Sequence, residues 1–166
     1  MQLICACCDW WSSTALQNGL IFLTLVVTIC VSFGLHIKGR DENIKQNLDA
    51  RLFSLQQLSF EKPFLEETKF TSNWIQLRQK YLSSKSPLTP IEIDKCLQYE
   101  VYCEMLFNFI EDSYNFYKDE NKMLKYVAFK QWVRTHKSWW QTPLEEHSNH
   151  DTYNPKLCVI IENWLK

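Results

Sequence analysis

The stretch GLIFLTLVVTICVSFGLHI, residues 19–37, decides the architecture of this chain. It holds no charged side chain, and the first cation after it is Lys38. As a helix rising about 1.5 Å per residue it reaches roughly 28 Å, close to the hydrocarbon thickness of a bilayer. Trp10 and Trp11 lie upstream, where aromatic rings favour a membrane interface, and Lys38 and Arg40 close the segment on its other side. A soluble core helix rarely runs this far without a charge. A cleaved signal peptide would open on basic residues, whereas MQLICACCDWW has none, and no small-x-small cleavage site follows the apolar run. The reading is an uncleaved membrane anchor.

Working outward, the flanks set an expected orientation. No Lys or Arg precedes the segment, while Lys38, Arg40, Lys45 and Arg51 follow it. The positive-inside rule then places the C-terminal part in the cytoplasm and the short tail outside. The expected organisation is a tail over residues 1–18, a transmembrane helix over 19–37 and a soluble domain over 38–166. A mean hydropathy of −0.30 excludes a polytopic membrane protein. With 18 basic and 19 acidic residues in all, net charge is −1, which supplies no long-range field to draw in nucleic acid or anionic lipid. Only three glycines and five prolines occur, too few for a fold of many tight β-turns, so the expected class is all-α.

Within the soluble part, Ile44, Leu48, Leu52, Leu55 and Leu58 recur at spacings of three and four, predicting a helix from about Asp41 to Lys62, stopped by Pro63 and separated from the anchor by a break at Gly39. A second helix is expected over about Thr71–Ser83, with Trp74, Leu77, Tyr81 and Leu82 on one side, and SSKSPLT then reads as a loop. Thr89, Pro90 and Glu92 spell a capping box, with Leu88 and Ile93 as its apolar staple. The helix they open runs to about Tyr117 and is apolar almost all round, which predicts a central position. A fourth helix is expected from about Asn121 to Trp140. A polar loop, LEEHSNHDTY, leads to a last helix capped by Asn154, with Leu157, Cys158, Ile161, Trp164 and Leu165 as its stripe. The sum is a bundle of four or five helices.

Candidate chemistry is sparse. Glu100 and Glu104 share a helix face, but a di-metal bundle needs Glu-x-x-His motifs on facing helices, and none occurs; solvated or ion-paired acids are expected. His147 and His150, beside Glu145, Glu146 and Asp151, form the one local group resembling a metal site, on a polar loop where solvated side chains are the plainer reading. Cys5, Cys7 and Cys8 lack a second ligand pair. Cys96 and Cys103 stand two helical turns apart, roughly 10 Å, too far for a disulfide. No phosphate-binding glycine loop and no Gly-x-Ser-x-Gly elbow is present. Trp132, Trp139 and Trp140 interleave with Lys130, Arg134 and Lys137, a patch able to meet a partner. The plainer reading is that Trp132 is core and the Trp139–Trp140 pair closes the end of the bundle; the alternative is that at least one ring of that pair faces outward as a contact.

ARLFSLQQLSFEKPFLEE (50–67), CLQYEVYCEMLFNFIEDSY (96–114) and KQWVRTHKSWW (130–140) together resemble a pattern of uncharacterised, membrane-anchored helical proteins of bacteria. In these an apolar helix ends at a proline, an aromatic-rich helix follows and a Trp-bearing helix closes the domain. The resemblance implies a bacterial origin and carries no activity with it. The expected function is therefore a membrane-tethered helical scaffold or protein-interaction module. Its partners would be the bilayer, through Gly19–Ile37, and proteins or a second copy. No catalytic, cofactor-binding or metal-binding residues are assigned. The alternative is a metal-dependent membrane enzyme using the Glu100 and Glu104 acids or the His147/His150 loop.

Overall fold

The computed structural model describes residues 3–83, 88–141 and 149–166, with side chains over 17–83, 88–141 and 151–166. Among these residues the structure is all-α, without a strand. The chain divides into two compact units, Met1–Ile44 and Lys45–Lys166.

The first unit belongs to helix α1 (Leu3–Glu61). Residues 38–41 are helical, so the expected break at Gly39 does not form. Every residue from Gly19 to Ile37 is exposed. This helix is long and apolar enough to cross a membrane. Two of its hydroxyls are satisfied internally: Thr24 donates to the Leu20 carbonyl and Thr28 to the Thr24 carbonyl, each at 2.8 Å.

In the second unit α1 buries Leu48 and Leu55 and half-buries Leu52 and Leu58, the face its spacing predicts. The helix ends at Glu61 because Pro63 lacks an amide proton and holds Lys62 out of the α region, at φ −129° and ψ 73°. A single 3₁₀ turn, Pro63–Leu65, then drops Leu65 into the core. Helix α2 (Thr68–Ser83) starts ahead of the expected Thr71, since the amides of Phe70 and Thr71 both reach the Glu67 carbonyl at 2.9 Å. Its inward face is Thr71, Trp74 and Arg78, whereas Tyr81 and Leu82 are exposed, a rotation from the predicted side. An inward Arg78 is tolerable because Glu100 meets it at 3.0 Å.

Helix α3 (Pro90–Tyr117) opens on the predicted capping box: Thr89 Oγ1 accepts from the Glu92 amide, and the Glu92 carboxylate accepts from the Thr89 amide at 2.8 Å. Its Tyr99, Tyr102, Cys103, Leu106, Phe107 and Ile110 are fully buried. The expectation of burial all round is corrected along one line, where Leu97, Val101 and Met105 are exposed. The helix closes on Lys118 in the left-handed region, φ 52°.

The helix expected from Asn121 to Trp140 is instead three: α4 (Glu120–Tyr126), α5 (Phe129–Thr135) and α6 (Lys137–Gln141). The first break is an inverse γ-turn, with Ala128 at φ −75°, ψ 55° and the Phe129 amide bonded to the Val127 carbonyl at 2.8 Å. The second falls at His136, φ −100°, ψ 21°, whose carbonyl receives the amides of Trp139 and Trp140. Phe129, Val133, His136, Trp139 and Trp140 all turn inward across the two breaks. Part of the expected polar loop is helical, α7 (Asn149–Thr152), and α8 (Pro155–Leu165) follows, capped by Asn154 and burying Leu157, Cys158, Ile161 and Trp164 as predicted. Helix α2 packs on α3 and α6, and α5 packs on α8.

Candidate functional site

The tryptophans and the cations of residues 130–140, adjacent in sequence, separate in space. Trp140 is fully buried and Trp139 nearly so, both stacked on Phe107 with centroids 4.9 and 5.1 Å away. The Trp140 indole also donates to Glu162 Oε1 at 2.9 Å. Trp132 is only half-buried, packed edge-on against Phe109 and Phe129. Both rings of the pair thus close the core, as the plainer expectation had it, whereas Trp132, expected inside, keeps part of its ring exposed. The aromatic patch is core.

The cations go the other way. Lys130, Arg134 and Lys137 line one open groove of about 860 Å³, whose opposite wall is the start of α2, with Thr68, Thr71 and Ser72. Arg134 is held by its Nε donating to the Trp164 carbonyl at 2.9 Å. Lys130 lies 3.8 Å from Glu120, itself outside the lining.

Behind this groove lies a cluster that the sequence reading missed. His136 is fully buried at the junction of α5 and α6. Its Nε2 faces Glu66 Oε1 at 3.2 Å, and its Nδ1 faces the Tyr99 hydroxyl at 2.9 Å and the Cys103 sulfur at 3.7 Å. Tyr102 donates a short hydrogen bond to the same Glu66 oxygen. The arrangement matches the tautomer in which Nε2–H donates to the carboxylate and Nδ1 accepts from the tyrosine, an assignment made from the network. Burial works against a charge on Glu66. The hydrogen bonds from His136 and Tyr102 outweigh it and hold the carboxyl below its ordinary range. Burial pushes the Tyr99 and Tyr102 hydroxyls far up, and the Cys103 thiol well up.

Thiol, imidazole and carboxylate stand here in the order used by cysteine nucleophiles. Cys103 is fully enclosed, however, and a thiol raised by burial is a poor source of thiolate, so in this conformation the group acts as a polar knot tying the 3₁₀ turn, α3 and the α5–α6 junction together. One signal for it was readable: His136 shares helical spacing with Phe129, Val133 and Trp140, which placed an imidazole on an apolar face.

The remaining candidates are dispersed. Glu100 is ion-paired with Arg78 of α2, and Glu104 is exposed. Among the described residues no group of three His, Cys, Asp or Glu is placed to hold a metal. His147, Glu145 and Glu146 lie outside the described residues, and the side chains of His150, Cys5, Cys7 and Cys8 lie outside those described. Cys30, Cys96, Cys103 and Cys158 are not in disulfides. No family model, curated protein or solved structure matches this chain.

Proposed function

We propose that the chain is a membrane-tethered helical interaction module, anchored through Gly19–Ile37, with Lys45–Lys166 presented in the cytoplasm as the working unit. The observation that carries this reading is the uncovered apolar helix: every residue from Gly19 to Ile37 is exposed, Phe22 to 69% and Phe33 to 66%. Apolar surface on that scale, present on all sides of one helix, calls for an apolar solvent. The internal hydroxyl bonds of Thr24 and Thr28 favour the same reading, since lipid offers polar groups no partner. Orientation rests on Lys38, Arg40, Lys45 and Arg51, all on one side of the segment.

Alkaline extraction of membranes, combined with reporter fusions at both ends, tests the anchor and its direction. The protein should stay in the pellet and its C-terminal reporter should read cytoplasmic. Release into the supernatant overturns the anchor; an outside signal from the C-terminal fusion overturns the orientation. Crosslinking in intact membranes, followed by detergent solubilisation, should recover a specific partner or a second copy. An uncrosslinked monomer throughout argues against an interaction module.

A further inference from the structure

We propose that the groove between the start of α2 and the α5–α6 segment is a binding site for a multiply charged phosphate group. Three cations converge on it from a single stretch of chain. Lys130, Arg134 and Lys137 are spaced by four and three residues, so they keep to one side of the chain even though the helix breaks at His136. Among the described residues no aspartate or glutamate lines the groove. Glu120 sits 3.8 Å from Lys130 and offsets one of the three charges at the margin.

The wall opposite is hydroxylic. Ser72 and Thr71 are committed to the Thr68 carbonyl, at 2.7 and 3.2 Å, which leaves the Thr68 hydroxyl on that wall and those of Thr135 and Ser138 on the cation side as further donors. Cations backed by hydroxyls suit a ligand that offers many acceptor oxygens and more than one negative charge. A single carboxylate uses only part of such a set. Arg134 is pre-positioned, because its Nε bond to the Trp164 carbonyl fixes the guanidinium plane before any ligand arrives. The position is also held from behind: His136, between Arg134 and Lys137 in sequence, is locked by Glu66 and Tyr99. At about 860 Å³ the groove has room for a phosphorylated ring or a diphosphate and far exceeds one ion.

The same chemistry is offered by a free phosphate ester and by a phosphorylated lipid headgroup, and the test separates them. The full chain is reconstituted in nanodiscs of neutral phosphatidylcholine and titrated with inorganic pyrophosphate and with inositol hexakisphosphate. A second preparation carries phosphatidylinositol bisphosphate in the same discs, and protection of Lys130 and Lys137 from amine labelling is followed. Saturable binding in the first arm assigns a soluble ligand; protection only in the second assigns the headgroup; either supports the site. The variant Lys130→Gln with Lys137→Gln should weaken the bound arm by roughly a hundredfold, since each charged contact is worth about tenfold or more. Lys137→Arg should retain it. Both lysines lie at the surface, and circular dichroism confirms that the variants are folded. Arg134→Gln is the less clean variant, because it also releases α8. Absence of binding in both arms, or an affinity unchanged in the double variant, overturns the proposal.

Discussion

Glu66, Tyr99, Tyr102 and Cys103 commit their polar atoms around one imidazole, and the carboxyl of that group contributes to the protein's acid stability. Glu66 titrates below its ordinary value near 4.5 in the folded protein. Its contribution is therefore fully present above that value and is lost as pH falls through the lower, folded one. Thermal unfolding followed from about pH 6 to pH 3 should show a falling Tm, and Glu66→Gln should lower the plateau and flatten the fall. An identical pH profile in the variant would show that the knot contributes nothing through this charge. A second residue-scale test ranks the tryptophans. Trp140→Ala should cost about 3–5 kcal/mol, since it removes a fully buried ring and leaves Glu162 without its indole donor, and Trp132→Ala should cost clearly less. Chemical denaturation of the two variants decides the order. The burial of Trp140 is legible in the sequence, because Phe129, Val133, His136 and Trp140 recur at helical spacing, whereas the partial exposure of Trp132 is set by its neighbours on other helices, which periodicity does not show.

At the scale of elements, the ends that were legible are those written in side-chain chemistry. Thr89, Pro90 and Glu92 spelled the start of α3, Asn154 and Pro155 the start of α8, and Pro63 the end of α1; each was readable because capping uses local atoms. Thr89→Ala should accordingly lower stability by about 1 kcal/mol, the usual loss when an N-cap acceptor goes. An unchanged denaturation midpoint would mean that Glu92 and Pro90 hold the end without it. Ends made by tertiary demand were not legible. The inverse γ-turn at Ala128 follows no proline or glycine; the start of α2 at Thr68 was masked by the preceding 3₁₀ turn. The rotated face of α2 has the same origin. Arg78 counts as a surface residue until Glu100 is seen to meet it, and a partner on another helix is invisible to periodicity.

For the molecule as a whole, the exposed apolar helix was the most legible feature because its signal is compositional and needs no partner. The cationic groove was half legible: the spacing of Lys130, Arg134 and Lys137 was visible, but the hydroxyl wall comes from residues more than fifty positions earlier. The buried cysteines carry a further consequence, concerning how the second unit comes apart. Cys96 and Cys103 lie on α3 and Cys158 on α8, all shielded and all with thiols raised by burial. A sulfur in that state is tagged only when its surroundings part, so alkylation rates clock local opening at separate places in one native chain. Peptide mass spectrometry after timed exposure to iodoacetamide should find Cys158 marked ahead of Cys96 and Cys103, with α8 peeling away before α3 loosens. Marking at one common rate would instead make α8 and α3 a single cooperative block, which opens as a whole or stays shut.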